Sequence, residues 1–430
     1  MSKRNRERRA AKQKKRRHSA TERERSRPDP GPDRAQILER LVSALSATAA
    51  VPAPWCAAEL LEQFRGYQRE LDVAADLVVQ EAIRAAWERG WSPTDLHEIA
   101  RRRVDAATVR YLDEAIVLES RRYSVATLHP RWRAELADIS PATGPSTPSP
   151  QMWRWAASHS TDERAALTVV LQVLHLLGSI PVLTALLPRP GSHRHLSAVG
   201  GEVDEKMLAR VRALLAKAEA TDYPEEAEAL SAKAHALMAR HSVREAVADH
   251  DRGQAATATS RRMWIENPYV AAKVALVQAV AEANRCRTAW DKDLGCVINV
   301  GAETDLHLVE LLATSLLVQA SRAMLIAGRL HEVRGQSRTR SFRFSFLVAY
   351  ATRISERLAA TNSSVTEELR RDERLLPVLA SRSRAADEEF SRLFPKTIES
   401  PLAAYDSLGH GAGRLAADMA MLDVRDAIAG

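Results

Sequence analysis

The segment Asp204–Ala220, DEKMLARVRALLAKAEA, constrains the fold more than any other stretch. Met207, Leu208, Val211, Leu214, Leu215 and Ala218 recur three and four residues apart and make one apolar face. Lys206, Arg210, Arg212 and Lys217 lie mostly off that face. This is the period of an amphipathic helix, not of a strand. TDYPEE then restarts a helix, with Pro224 near its first position and Glu225 and Glu226 at the positive end of its dipole. Ala227, Leu230, Ala234, Leu237 and Met238 form the second apolar face. Two such helices joined by a short loop give an αα-hairpin.

The same spacing recurs along most of the chain. Ile37–Ala47, Trp55–Tyr67 and Glu70–Arg89 read as helices, the last with a stripe from Leu71 to Ala86 and a stop at Gly90. Ser92 caps a further helix, with Pro93 in the favoured first position and Asp95 in the first turn. A break near Arg103–Ala106 leads into a longer helix. The pair fits a helix-turn-helix, but a plain helical hairpin with a solvated Arg101–Arg103 cluster is the favoured reading. Trp153–Leu187 and Ala302–Arg329 are also predicted helical. Arg261–Ile265, Arg287–Trp290 and Cys296–Val300 read as short extended pieces, with DKDLG as a hairpin turn before the last. Aromatic residues are only 5% of the chain and no strand-and-turn rhythm runs through it, which argues against a β-sandwich or barrel. The expected fold class is mainly α, with a small sheet near the C-terminus. The expected divisions are a basic arm (1–33), a helical N-terminal domain (34–190) with a Pro-rich loop at 140–150, the hairpin (202–250) and an α+β C-terminal domain (260–430).

The charge is unevenly placed. Residues 1–27 hold thirteen Lys/Arg, among them Lys3, Arg4, Arg6, Arg8, Arg9, Lys12, Lys14, Lys15, Arg16 and Arg17, against three acids, a net +10. The remainder holds 49 basic and 52 acidic residues, a net −3. The basicity therefore belongs to one arm. Having almost nothing to bury, the arm is expected to be disordered alone. A dense Lys/Arg run exchanges counterions with a polyanion, so DNA or RNA is the expected partner, with non-specific contact to ribosomes or acidic lipid, or a mere aid to solubility, as the alternatives. It has no apolar core or small-residue cleavage site and does not read as a signal peptide.

The uncharged run Ala165–Pro188 approaches a membrane span in length. Gln172, His175, Gly178, Ser179 and Pro181 interrupt it, so a buried helix ending near Gly178 and no membrane association are expected. Cys56, Cys286 and Cys296 are odd in number and sparse, which excludes a disulfide scaffold and fits the reducing cytoplasm. His193 and His195 lack a Cys or carboxylate at ligand spacing, and Cys286 and Cys296 stand ten apart. No metal site and no cofactor is expected.

The series KMLARVRALLAKAEATDYPEEAEALSAKAHALMARHSV closely resembles the signature of the family called domain of unknown function 2786. Ala281–Arg287, Val300–Asp305, Ser341–Leu358 and Ala404–Arg414 resemble the segment that usually follows it. The basic start and GWSPTDL resemble actinobacterial members. The resemblance implies a helical, cytoplasmic protein of bacteria and their phages. It implies no activity, so no catalytic residue is carried over.

Three further groups combine residues that could carry chemistry. Glu303, Asp305 and His307 could form a carboxylate/His cluster, but Asp305 falls well round the helix from the other two, and acids at a helix start also serve the dipole. Arg338, Arg340 and Arg343 alternate with Phe342, Phe344 and Phe346. The aromatics are expected in the core, leaving the arginines for phosphate. Gly409, Gly411 and Gly413 sit with His410 and Arg414 in GHGAG. Without the Lys-Ser/Thr of a phosphate-binding loop, close helix packing is favoured over anion binding. No GxxxxGK[ST], HExxH, GxSxG or CxxC occurs. The expected function is a cytoplasmic, non-catalytic, nucleic-acid-associated protein. The alternatives are an enzyme with a C-terminal pocket lined by Glu303, Asp305, Gly409, His410, Gly413 and Arg414, and an assembly module docking through the hairpin.

Overall fold

The computed structural model describes residues 33–50, 55–139, 150–193, 205–220, 224–333, 340–368, 375–396 and 407–419. The chain divides into two compact units, Met1–Arg194 and His195–Gly430. The fold is mainly α with one small antiparallel sheet, as the periodicity predicts.

Helix caps set the first unit. It contains α1 (Arg34–Ala50), α2 (Cys56–Gln63), α3 (Gln68–Glu88), α4 (Pro93–Arg103), α5 (Ala106–Ser120), α6 (Pro130–Ile139), α7 (Gln151–Ser158) and α8 (Glu163–Ser179). Ser92 and Asp95 form a capping box at the start of α4, with Pro93 as its first residue. Asp105 caps α5 by accepting from the Ala107 and Thr108 amides, so only two residues separate α4 from α5. Asp72 of α3 accepts the amide of Met152 at 3.0 Å and so caps α7 from a neighbouring helix. The core is aromatic despite the low aromatic content. Trp87 meets Trp132 edge-on at 5.1 Å, and Tyr111 meets Trp155 at 5.5 Å.

The uncharged run 165–188 is not one helix. It becomes the bulk of α8, which ends at Ser179, followed by a non-helical segment. Arg89 supplies the stop by donating to the carbonyls of Leu177 (2.6 Å) and Ile180 (3.3 Å). The next residues run across the end of α3, where Leu183 donates its amide to the Arg89 carbonyl at 2.7 Å. Gly90 permits this approach: its φ is +86°, and a Cβ there would stand 2.3 Å from the Leu183 oxygen.

The second unit contains α9 (Glu205–Ala220), α10 (Pro224–Asp251), β1 (Thr259–Trp264), α11 (Val270–Ala283), β2 (Arg287–Asp291), β3 (Cys296–Gly301), α12 (Glu303–Val333), α13 (Arg340–Glu368), α14 (Leu375–Leu393) and α15 (Ser407–Met419). The strand order is β1-β3-β2, with both pairs antiparallel. Every residue of β3 is buried, as its central position requires. The β2–β3 turn is the expected one: Asp291 Oδ1 accepts the amides of Asp293 (3.1 Å) and Leu294 (3.0 Å).

The hairpin is not a separate body. Met207, Val211 and Leu215 of α9 and Ala234 and Met238 of α10 share one core with Leu306, Leu312, Phe346 and Tyr350. The sequence boundary between a hairpin domain and a C-terminal domain therefore falls inside a single unit. Among the described residues, α12 is the helix long and apolar enough to cross a membrane (Glu303–Gly328, mean hydropathy 1.4), and its outer side exposes Val318, Leu325 and Ile326.

Candidate functional site

Polar side chains gather where β3 passes into α12. Glu303 and Asp305 lie two residues apart, which on a helix points them to opposite sides. They enter two different networks.

The inner network is buried. Asp305 is 1% exposed, yet its Oδ1 accepts from the Ser242 hydroxyl and, at 3.1 Å, from Arg285 Nη2. Arg285 also donates to Ser242 Oγ. Arg285 reaches inward because the turn after α11 places it at φ +59°, a left-handed conformation rare outside Gly, Asn and Asp. Asn284, inside the same turn, is held by a bond from its Nδ2 to the Val280 carbonyl at 2.7 Å. Arg382 of α14 closes the network, 2.9 Å from Asp249 Oδ2, 3.6 Å from Glu245 Oε2 and 3.9 Å from Asp305 Oδ2. Thr304 Oγ1 donates to Glu245 Oε1 at 2.8 Å. Two guanidinium groups thus face three carboxylates, drawn from α10, the α11–β2 turn, α12 and α14.

His235 stands seven residues before Ser242 on α10. It is fully buried and neither ring nitrogen has a hydrogen-bond partner. Burial, and secondarily the Arg285 charge, pushes its pKa down to about 4. The ring is neutral at pH 7.

The outer network joins β1, α9 and α12. Arg261 donates to Glu303 Oε1 (2.6 Å) and Glu310 Oε2 (2.5 Å). His307 lies between two arginines, with Arg212 Nη2 3.2 Å from its Nε2 and Arg261 Nη1 3.4 Å from its Nδ1. Burial and then the Arg261 charge hold its pKa below the ordinary value.

The sequence-predicted residues do not converge on one pocket. Glu303 is bound by Arg261, Asp305 by Ser242 and Arg285, and Arg414 by Glu356 at 3.2 Å. His410 is half-buried on α15. Gly413 is a packing residue, since a Cβ there would stand 2.1 Å from the Phe346 carbonyl oxygen. The glycine cluster lies within α15, not at a loop that could wrap an anion. Among the described residues no group of three or more His, Cys, Asp or Glu could hold a metal ion. An open cleft of about 630 Å³, lined by Arg34, Ile37 and Gly66–Glu70, lies in the first unit and contains none of the predicted residues.

Lys3, Arg4, Arg6, Arg8, Arg9, Lys12, Lys14, Lys15, Arg16, Arg17 and Arg338 lie outside the described residues. Arg340 opens α13 and is exposed; Arg343 is half-buried. Phe342 and Phe346 are core residues at 4% and 0% exposure, and Phe344 packs against the same core, so none is presented to stack on a base. In α4, Arg101 and Arg102 both pair with Glu98, which offsets one charge of that three-arginine cluster.

Sequence reasoning missed Ser242, Glu245, Asp249, Arg285 and Arg382. Its one available signal was the line His235, Ser242, Glu245, Asp249 on α10, spaced seven, three and four apart on one side of an alanine-rich helix. Arg285 and Arg382 come from distant segments and left no local pattern.

Residues 206–245 match the model of a family described as Protein of unknown function (DUF2786). The match covers α9 and most of α10, including His235, Ser242 and Glu245. No curated protein and no solved structure matches the chain.

Proposed function

We propose that this is a non-catalytic, cytoplasmic protein that associates with nucleic acid. One observation carries the reading: thirteen Lys/Arg against three acids in residues 1–27, beside a remainder of net −3. Such segregation puts phosphate affinity in one arm and leaves the body free of long-range attraction to polyanions. The non-catalytic part is supported by the separate engagement of Glu303, Asp305 and Arg414, each held by its own partner. Three free cysteines, two of them buried, are consistent with a reducing compartment. The hairpin's apolar face is occupied within its own unit, which removes the main surface an assembly role would use.

The test is binding of the full chain and of a chain lacking residues 1–27 to labelled DNA and RNA across a salt series. The expected result is strong binding by the full chain, a steep log–log salt dependence, and a large loss on deletion. Equal binding by both forms would remove the arm's role. No binding by either at moderate salt would end the nucleic-acid reading.

A further inference from the structure

His97 of α4 and Asp113 of α5 form a pair outside the networks described above. His97 Nδ1 lies 3.0 Å from Asp113 Oδ1 and 3.1 Å from Oδ2. A carboxylate accepts, so Nδ1 carries the hydrogen and the neutral ring keeps its lone pair on Nε2. Nε2 has no hydrogen-bond partner and is not buried. The carboxylate sits deeper than the ring: the His97 and Asp113 side chains are 28% and 13% exposed. Both helices are fixed at the ends that meet the pair's surroundings, since Ser92 caps α4 and Asp105 caps α5. The ring is therefore held by its inner nitrogen and presents its outer one. The bond from Asp113 raises the ring's pKa above its ordinary value, against the opposing effect of burial. The other charges acting on the ring are Glu98 and Arg101 of α4, which pair with each other. Glu135 of α6, the other helix packed on α4, is turned to the Thr94 amide.

We infer that His97 Nε2 is a phosphoacceptor, a modification site that takes a phosphoryl group from an acyl phosphate. A His–Asp dyad serves as a metal ligand with its support, as a general base, or as a nucleophile, and the surroundings separate these uses. A metal needs further ligands, and among the described residues no group of three or more His, Cys, Asp or Glu could supply them. A general base needs a hydroxyl or thiol to activate, and among the described residues none bonds Nε2. The imidazole nitrogen itself remains as the nucleophile, oriented and made more basic by the carboxylate behind it. In the step, the Nε2 lone pair forms an N–P bond. The P–O bond to the acyl oxygen breaks, and its electron pair leaves with the carboxylate product. No proton is transferred: the ring keeps its Nδ1 hydrogen and becomes a cation, which Asp113 offsets. Asp113 is a positioning residue, touching neither phosphorus nor donor. Arg101 is engaged by Glu98 and has no part in the step. The inference goes beyond the nucleic-acid reading and does not depend on it.

The test incubates the full-length protein with acetyl phosphate and, in a separate arm, with β-aspartyl phosphate. Phosphohistidine is mapped by mass spectrometry under alkaline conditions. His250 of α10 is the internal reference, an exposed histidine without a carboxylate partner. Exposure alone would favour His250. The expected result is labelling of His97 faster than of His250 by about tenfold or more, the usual scale of a carboxylate support behind an imidazole. The rate should rise with pH to a plateau as the ring loses its Nε2 proton, with a midpoint above that of His250. Asp113→Asn should remove the advantage and lower the midpoint, and Asp113→Glu should restore part of both. Circular dichroism checks that the variants are folded. A merely structural pair would move neither the ratio nor the midpoint. Labelling of wild-type His97 no faster than His250 would overturn the inference without recourse to any variant. Equal labelling of wild type and folded Asp113→Asn would overturn it as well. Faster reaction with β-aspartyl phosphate would support a donor carried on a partner protein, and faster reaction with acetyl phosphate a free metabolite. Reaction with neither overturns the inference and leaves the nucleic-acid reading standing.

Discussion

Arg285 Nη2 lies 3.1 Å from Asp305 Oδ1, joining the left-handed turn after α11 to the first turn of α12, and Ser242 of the hairpin bonds both side chains. The contact ties the family-matched segment to the rest of its unit through buried charge. Removing one member of such a network is worse than never having built it, because the remaining charges keep their desolvation cost. Asp305→Ala leaves Arg285 and Arg382 short of a carboxylate, and a loss of about 3–5 kcal/mol in urea unfolding is expected for the second unit. Asp305→Asn keeps an acceptor for Ser242 and should lose less. Equal stability of Asp305→Ala and wild type would mean that the network is not formed in solution.

Acid should weaken the same region through His235. Its folded pKa is about 4, below the unfolded value of 6.5. The unfolded chain therefore binds more protons between those values, so stability is full above pH 6.5 and declines as pH falls towards 4. The decline amounts to roughly 3 kcal/mol for this one group. His235→Leu removes the titrating ring, and since neither nitrogen is hydrogen-bonded no partner is orphaned. The variant should match wild type at pH 7.5 and show a flatter stability profile between pH 4 and 6.5, measured by chemical denaturation at each pH.

Local signals were legible in the chain and long-range ones were not. The α9–α10 hairpin, the Ser92–Pro93–Asp95 start of α4, the β2–β3 turn and the core placement of Phe342 and Phe346 each follow from spacing within a few residues. The sequence predicts a helix end near Gly178 and α8 ends at Ser179, but the cause, Arg89 reaching the Leu177 and Ile180 carbonyls, spans about ninety positions and is invisible to a window. The inner network is hidden for the same reason: Ser242, Arg285, Asp305 and Arg382 come from four segments, with Ser242 and Arg382 140 positions apart. The hairpin reads as a domain in the sequence because its helices are self-consistent. Periodicity shows that a face is apolar but not which partner covers it, and here α12 and α13 do.

Ser92 offers a clean test of the local reading. Its hydroxyl accepts the Asp95 amide while the Asp95 carboxylate accepts the Ser92 amide, and both residues are buried. Ser92→Ala should cost about 1 kcal/mol, the usual penalty for losing such a cap. Ser92→Asp restores an acceptor but sets a new carboxylate beside Asp95 and beside Glu135 of α6, whose Oε2 accepts the Thr94 amide at 3.2 Å, so it should cost more than Ser92→Ala. Thermal melting of the two variants separates the hydrogen bond from the charge.

Two glycines of α15 predict opposite outcomes from the same substitution. Gly411 has open space where a Cβ would go, so Gly411→Ala adds helix propensity and should raise stability by up to about 1 kcal/mol. At Gly413 the new methyl would stand 2.1 Å from the Phe346 carbonyl oxygen and 2.8 Å from its carbon. Those are backbone atoms inside α13, which cannot swing aside as a side-chain tip would. Gly413→Ala must therefore push α15 away from α13, opening a seam at Phe346 and disturbing the Arg357 bond to the Ala417 carbonyl at 2.6 Å. A loss of about 2–4 kcal/mol is expected, of the order of a disrupted core contact. Urea denaturation of the two single variants decides the matter. If Gly413→Ala is as stable as Gly411→Ala, the helices do not pack at this distance and GHGAG becomes available again for a role other than packing.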